Sequence, residues 1–391
     1  MIGYGRQSID QADIDAVVSV LRSDYLTQGP TVDRFEAALA ERVGAQYAIA
    51  VSSGTAGLHL ACLAAEFGPD DIGLTSPVTF AASANCLRYV GAEVRFGDIN
   101  SDTLALSDAA IEHLLSSVPQ AKALVSVHLA GLAAELGNLR RRAGNRVVIE
   151  DAAHAIGGSY VCGRPIGCGK YSDVAVFSFH PVKTITTGEG GAVVTNDVEL
   201  ARRLRLLRSH GIERDQTRFI SDDGRDTSEP KPWLQEQHML GFNYRMTDIQ
   251  AALGLSQLAK LDGFLTRRRE IAKHYDASFA GLPHVRIPQS APEQRARSGH
   301  HLYVVLFDFE ALCTTRARFM AKLREMGVGS QVHYLPVYRH PYYARRYGFK
   351  PAAFPNAEAY YSSCLSLPFY PGLTDEQVEQ VIAAVRRAVL V

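Results

Sequence analysis

Apolar positions along the chain follow two periods that alternate. Ile9, Ile14, Val17, Val18 and Leu21 fall at helical spacing, which predicts a helix over residues 8–22. Phe35, Ala38, Leu39 and Val43 repeat the pattern. A short unbroken apolar run, Tyr47–Val51, then reads as a strand, and the SSGTAGLHLACLAAE that follows it reads as a turn leading into an apolar helix. Similar runs recur at Ile72–Thr75, Glu93–Phe96, Ala123–Val127, 147–149, 174–177 and 192–195, most of them separated by helical segments. Such alternation predicts the α/β class: a largely parallel sheet covered by helices, with ligands at the carboxyl ends of its strands.

Beyond residue 213 the pattern changes. Residues 214–237 are polar, with Asp-Asp-Gly, Ser-Glu-Pro and Lys-Pro, and read as a long, mobile loop. A single long helix is expected over 247–279. After Gly281-Leu282-Pro283 a second unit follows: a strand at Tyr303–Phe307, a helix over 316–326, a strand over 331–334 and a terminal helix from Asp375. A chain of 391 residues, 47% hydrophobic, has room for one large core and one smaller one. The expected division is a segment at 1–30 that joins the small domain and the site, a large domain at 31–262 and a small α+β domain at 263–391.

Charge and cysteine content narrow the function classes. Lys plus Arg and Asp plus Glu balance at 41 each, so no global field favours nucleic acid or an anionic membrane. The six cysteines are scattered without a two-residue spacing, which argues for reduced thiols and against a zinc or redox pair. No apolar targeting core opens the chain and no run approaches about twenty apolar residues. A cytoplasmic protein without a metal is expected.

The candidate chemistry lies at strand ends. Lys183, in SFHPVKTITTGEGG, is the one cation of a Gly- and Thr-rich turn after an apolar strand; crowding favours a neutral amine able to add to a carbonyl, and a surface lysine is the alternative. Ser52-Ser53-Gly54-Thr55-Ala56 opens a helix, where free N–H groups suit a phosphate or Ser53 and Thr55 serve as ordinary caps. Asp151 ends an apolar strand, with His154 three residues on. The carboxylate suits the ring nitrogen of a heterocycle; metal binding competes but lacks a third ligand nearby. Phe80 follows another strand end and suits a planar ligand or the core, and Ser178 suits a phosphate. Asn243 and Arg245 precede a helix capped by Thr247 or Asp248, where they suit phosphate binding, capping or surface ion pairs. Gly163 to Lys170 fails as a P-loop on spacing. The pair His300-His301 cannot both face one site if it lies on a strand.

These segments together, Gly54-Thr55-Ala56, Glu150-Asp151-Ala152-Ala153-His154, SFHPVKTITTGEGG and GFNYRMTDIQAALG, resemble the DegT/StrS-type sugar-nucleotide aminotransferases, fold-type-I pyridoxal phosphate enzymes, in order and over nearly the whole chain. Leu26-Thr27-Gln28-Gly29, His180-Pro181-Val182-Lys183, Arg208-Ser209-His210-Gly211 and Gln331-Val332-His333-Tyr334 resemble, within the family, the UDP-4-amino-4,6-dideoxy-N-acetyl-β-L-altrosamine transaminases of pseudaminic acid biosynthesis.

The resemblance implies a seven-stranded, mostly parallel sheet and a homodimer with shared sites. It implies that Lys183 joins pyridoxal 5'-phosphate as a Schiff base and shuttles the proton, and that Asp151 pairs with the ring nitrogen. His154 would touch the ring substituents and Phe80 would stack on the ring. Gly54, Thr55, Ala56 and Ser178 would hold the phosphate, which Asn243 reaches from the other subunit. Tyr4, Tyr25, Leu26, Thr27, Asn243, His333 and Tyr334 would contact substrate, and Leu129 stands where an aromatic residue is expected. The implied reaction runs from L-glutamate, through pyridoxamine 5'-phosphate, to the C4 ketone of a UDP-linked keto sugar. Another nucleotide-linked keto sugar, a dehydratase and a non-catalytic cofactor-binding regulator are the alternatives. Lys183 argues against the second, since histidine replaces it in such dehydratases, and the absence of a basic DNA-binding stripe argues against the third.

Overall fold

A computed structural model describes residues 1–221, 223 and 231–390. Seven strands, β1 (Tyr47–Val51), β2 (Ile72–Thr75), β3 (Glu93–Phe96), β4 (Ala123–Val127), β5 (Val147–Asp151), β6 (Val174–Ser178) and β7 (Gly191–Thr195), form one sheet. Their order is β1-β7-β6-β5-β4-β2-β3. Only β7 runs against its neighbours; the other six strands are mutually parallel. The expected largely parallel, seven-stranded sheet is what the chain builds.

Both faces of this sheet are covered, which is why its inner strands are largely apolar on both sides, while the edge strand β3, Glu93-Val94-Arg95-Phe96, alternates. Ile49, Val125, Ile149, Val176 and Val193 pack on one face against α3 (Gly54–Ala64), α4 (Ala82–Tyr89) and α7 (Val198–Arg208). Ala50, Leu124, Val148, Phe177 and Val194 pack on the other against α2 (Pro30–Val43), α5 (Asp108–Ser117) and α6 (Leu136–Ala143). In register, Val127 lies beside Asp151, Asp151 beside Val176, and Ser178 beside Gly191, which also faces Val51. The carboxyl ends of β1, β4, β5 and β6 therefore meet at one edge.

The first helix, α1 (Gln11–Leu21), starts at a reciprocal cap between Asp10 and Asp13. It docks on α8 (Asp248–Ala259) through Lys260, which reaches Asp10 at 2.8 Å and Asp13 at 2.5 Å, and through Gln257, 2.8 Å from Asp13. Thr247 caps α8 in a capping box with Gln250. Asp248, not needed as the cap, accepts N–H bonds from Gly29 at 2.7 Å and Thr31 at 2.9 Å, strapping residues 25–31 across the helix start. The long helix expected over 247–279 is two helices, α8 and α9 (Leu261–Phe279), which meet at Lys260.

Of the polar stretch 214–237, residues 222 and 224–230 lie outside the described residues. The rest includes a 3₁₀ turn at Gln216–Arg218 and β9 (Glu236–Gln237), paired with β8 (Ile212–Glu213). A second sheet joins β10 (Val285–Arg286), β11 (Tyr303–Phe307) and β12 (Cys364–Leu367). It shares a core with Ile271 and Tyr275 of α9, Phe319, Leu323, and Val381 and Val385 of the terminal helix Asp375–Leu390. The strand expected at 331–334 is not formed: Gln331 makes one isolated bridge to Ser366, and β12 takes the place beside β11. His333 turns its side chain to Ser366 instead, with Nδ1 2.8 Å from Oγ. Among the described residues no helix is long and apolar enough to cross a membrane.

Candidate active site

The meeting strand ends open into a cavity of about 780 Å³, within the range of small-molecule sites. It is walled by the turn after β1 (Ser52 to Thr55), Thr79 and Phe80 after β2, Asp151 and His154 after β5, and Ser178 to Lys183 after β6. Tyr4, His301, His333 and Tyr334 come from outside the large sheet.

Strand alternation divides the adjacent carboxylates of β5. Glu150, fully buried, is spent inside the fold: His128 Nε2 lies 2.7 Å from it, and the Tyr160 hydroxyl (2.6 Å) and Ser172 hydroxyl donate to it. Asp151 points the other way, to the cavity. It accepts from Ser83 Oγ at 2.5 Å and from the Ala153 N–H at 3.1 Å. Two such donors fix the carboxylate's orientation.

Lys183 sits in a turn held by threonines. Thr186 Oγ1 donates to the Phe179 carbonyl at 2.9 Å and accepts from the Gly188 N–H at 3.0 Å, while Thr187 Oγ1 donates to the Glu189 carbonyl at 2.6 Å. Phe179 and Ile185 anchor the turn in the core. The Lys183 N–H bonds the His180 carbonyl at 2.8 Å. Burial pulls the amine down from 10.5 to about 8, and the nearby Asp151 charge only partly opposes it. The amine thus has a far larger neutral fraction near physiological pH than an exposed lysine, as a carbonyl-attacking lysine needs.

The cavity's three buried histidines, His154, His301 and His333, are kept neutral by burial. Burial, then the Lys183 charge, pushes His154 well below its usual value, and burial takes His333 down to about 4. The Ala130 N–H donates to His154 Nδ1 at 3.3 Å. In a neutral ring the proton must then sit on Nε2, which donates to the Tyr334 hydroxyl at 3.2 Å. Tyr334 keeps its own proton, its hydroxyl raised by burial, to give to a ligand.

At the turn after β1, Ser53 Oγ caps the N–H of Ala56 at 3.1 Å. Gly54 and Thr55, the first two helical positions, have no intrahelical acceptor for their N–H groups. The space beside them depends on glycine: a Cβ on Gly54 would lie 2.9 Å from Ser178 Cβ, and one on Gly191 would lie 2.6 Å from the Gly54 nitrogen. Backbone donors for an anion, a fixed carboxylate and a desolvated amine around one cavity fit pyridoxal phosphate: phosphate at Gly54, Thr55 and Ser178, ring nitrogen at Asp151, aldehyde at Lys183.

Not every expected residue is here. Gly54, Thr55, Phe80, Asp151, His154, Ser178, Lys183, Tyr4, His333 and Tyr334 line the cavity. Ala56 is buried behind the turn with its N–H taken by Ser53. Tyr25 (56% exposed) and Leu26 (45%) belong to the strap on α8, where Thr27 bridges Thr247, and none of the three reaches the cavity of its own chain. Asn243 is exposed, bridges Ser209, and is likewise outside that cavity. Leu129 is buried and shapes no wall. Sequence reasoning missed Ser83, which nothing in its helix flags. It also left His301 undecided: His300 turns to the Arg295 carbonyl (2.8 Å) and His301 to the cavity.

Residues 7–386 match the DegT/DnrJ/EryC1/StrS aminotransferase family. The spore coat polysaccharide biosynthesis protein SpsC of Bacillus subtilis is 38% identical over 386 residues, covering 98% of this chain and 96% of that protein. Among solved structures, Helicobacter pylori PseC, an aminotransferase of pseudaminic acid biosynthesis, superposes with a TM-score of 0.88 at 31% identity, covering 100% of this chain and 99% of the other. The sugar aminotransferase Spr1654 of Streptococcus pneumoniae in its pyridoxamine phosphate form gives 0.88 at 28% identity, with 100% and 99% covered, and it is also known in a pyridoxal phosphate form.

Proposed function

The chain belongs to the DegT/DnrJ/EryC1/StrS aminotransferase family and uses pyridoxal phosphate; from that premise we propose that it moves the amino group of L-glutamate to the C4 ketone of a UDP-4-keto-6-deoxy-N-acetylhexosamine. The substrate favoured is UDP-2-acetamido-2,6-dideoxy-β-L-arabino-hex-4-ulose, of pseudaminic acid biosynthesis. The observation that carries the reading is the desolvated Lys183 amine, lowered to about 8, facing the same cavity as the fixed Asp151 carboxylate. The likeness to PseC supports the sugar and the pathway.

Pyridoxal phosphate supplies an electron-withdrawing ring that takes up the electron pair of the carbon being deprotonated. The chain's residues do the rest. Asp151, oriented by Ser83 and Ala153, holds a proton at the ring nitrogen. Gly54 and Thr55 N–H groups, Ser178 and the helix dipole of α3 hold the phosphate. Phe80 covers a ring face and His154 meets the ring substituents. Lys183 would hold the cofactor's aldehyde end and, as a free amine, would take the proton from the donor's carbon in the first half-reaction and supply one to the sugar's carbon in the second. The kinetics are ping-pong.

Asn243, Tyr25, Leu26 and Thr27 act across the interface of a cytoplasmic homodimer. That accounts for their lying outside the cavity of their own chain, with Leu26 and Thr27 held at the α8 start by Asp248 and Thr247. Incubating the purified protein with pyridoxal phosphate, glutamate and the UDP-keto sugar, and identifying the product by mass and NMR, tests the assignment. A 4-amino sugar nucleotide is expected. Amination only of an arabinose- or perosamine-type keto sugar would replace the substrate but keep the chemistry.

A further inference from the structure

A chain of hydroxyls runs from the cavity wall to one oxygen of Asp151. Thr79, in the loop after β2, is 3% exposed and lines the cavity. Its Oγ1 lies 2.6 Å from Ser83 Oγ in the first turn of α4, and Ser83 Oγ lies 2.5 Å from Asp151 Oδ2. The loop is pinned on both sides of Thr79. Ser76 Oγ accepts from the Val78 N–H at 3.2 Å, the Pro77 carbonyl from the Val337 N–H at 2.8 Å, and the Phe80 carbonyl from the Ser83 N–H at 3.2 Å. Val78 is fully buried. Both hydroxyls are thus held in place by the fold itself.

Counting protons fixes the direction of this chain. Each hydroxyl has one hydrogen to give. Ser83 has two acceptors in reach besides Thr79, the Asp151 carboxylate at 2.5 Å and the Phe80 carbonyl at 3.3 Å, and the nearer, charged oxygen takes the hydrogen. The 2.6 Å contact then has one possible donor, Thr79. Thr79 donates to Ser83 and Ser83 to Asp151, and each bond polarises the next. The other carboxylate oxygen, Oδ1, accepts from the Ala153 N–H at 3.1 Å. The ionisable groups that feel the Asp151 charge are Lys183, whose amine it raises, and Tyr334 and Cys86, whose protons it helps to hold. His154, at the same cavity, is kept neutral by burial.

A carboxylate and a pyridine nitrogen that meet share one proton, which rests on oxygen or on nitrogen. Hydrogen bonds donated to the charged carboxylate favour its ionised form and so send the proton to nitrogen, where the ring needs it to accept an electron pair. We propose that Thr79, acting through Ser83, biases the proton between Asp151 and the cofactor's ring nitrogen toward the nitrogen. Ser83 is bonded to the carboxylate, and Thr79 is a positioning residue that sets how strongly Ser83 donates. The proposal rests on the aminotransferase reading and deepens it: among the described residues, the side chains that set the electron demand of the site through Asp151 form a neutral hydroxyl relay from the cavity wall.

The test uses holoprotein loaded with pyridoxal phosphate that is isotopically labelled at its ring nitrogen. The nitrogen chemical shift, which separates a protonated from a free ring nitrogen, is measured by solid-state NMR for the parent, Thr79→Val, Thr79→Ser and Ser83→Ala. Stopped flow gives the rate and half-saturation of glutamate-driven loss of the cofactor's visible band. The parent should read as protonated. Thr79→Val keeps the shape and loses the hydrogen. It should move the shift toward the free nitrogen and slow the loss of the band about three- to tenfold, the worth of one hydrogen bond, with half-saturating glutamate unchanged. Ser83→Ala should move both readings further the same way, and Thr79→Ser should match the parent. A hydroxyl that only supports the fold would lower the urea midpoint of Thr79→Val and leave the nitrogen shift and the rate as in the parent. That result overturns the proposal, as does a free nitrogen in the parent, a half-saturation that changes as much as the rate, or a Thr79→Ser that behaves like Thr79→Val. If Thr79→Val does not fold, Ser83→Ala decides by the same two readings. A parent whose band glutamate does not bleach would remove the aminotransferase reading, and the nitrogen shifts would then decide this proposal by themselves.

Discussion

Replacing Lys183 by methionine separates the cost of the lysine from its use. Burial moves the amine from 10.5 to about 8. At roughly 1.4 kcal/mol per pKa unit, the fold disfavours the ammonium by about 3 kcal/mol relative to the unfolded chain, with the Asp151 attraction already included. Because the folded value lies below the unfolded one, the unfolded chain holds the extra proton between them. The unfolding free energy therefore rises with pH from about 8 to 10.5 and carries the full deficit below 8. Methionine keeps the length and removes the charge. Cofactor-free Lys183→Met is thus expected to be more stable than its parent near neutral pH by up to about 3 kcal/mol. The difference should fade as pH rises through the lysine's unfolded value. Urea unfolding of both cofactor-free proteins across that range measures it. The same variant should carry no lysine-bound cofactor absorbance and transfer no amino group. A Met variant no more stable than its parent at neutral pH, or a gap that stays constant with pH, would refute the desolvation argument.

Three further changes probe the supports of the site. Ser83→Ala removes the 2.5 Å bond to Asp151; a lost bond to a charged group is worth about 1.5–3 kcal/mol, so cofactor affinity should fall roughly tenfold or more in an absorbance titration, with circular dichroism unchanged. Gly191→Ala places a Cβ 2.6 Å from the Gly54 nitrogen; it should displace the turn after β1 and weaken phosphate and pyridoxal phosphate binding together, whereas pyridoxal without its phosphate should be affected less. Glu150→Ala leaves His128, Tyr160 and Ser172 without their common acceptor; losing one partner of a buried network costs about 3–5 kcal/mol, read as a lower urea midpoint.

The fold was legible where local signals agree. Alternating apolar runs and helical stripes placed all seven strands of the large sheet, because a parallel sheet covered on both faces needs continuous apolar strands. Two places failed and one was left open, for identifiable reasons. Residues 331–334 read as a strand, but His333 satisfies itself on Ser366 and the pairing goes to β12, a choice made by contacts distant in sequence. The α8–α9 break at Lys260 carries no proline or glycine signal; Lys260 instead leaves the helix to tie Asp10 and Asp13. Thr247 or Asp248 stood equal as caps in sequence, and the structure gives the cap to Thr247 and the strap at residues 29–31 to Asp248.

The site was legible in its motifs and hidden in its supports. Lys183, Asp151 and His154 stood out because a charge at the end of an apolar strand must be paired or used. Ser83 lies among alanines and is visible only once α4 is folded over β5. His301 was half seen: its doublet with His300 showed that one ring would turn away, but the bond from Arg268 that holds the other spans 33 residues.

The most direct test of the central claim is reductive trapping. Purified protein loaded with pyridoxal phosphate is treated with borohydride, digested and mapped by mass spectrometry. A phosphopyridoxyl group on the peptide that carries Lys183, and on no other, is the predicted result. Label on a different lysine, or a protein that binds the cofactor and yields no labelled peptide, would contradict the account.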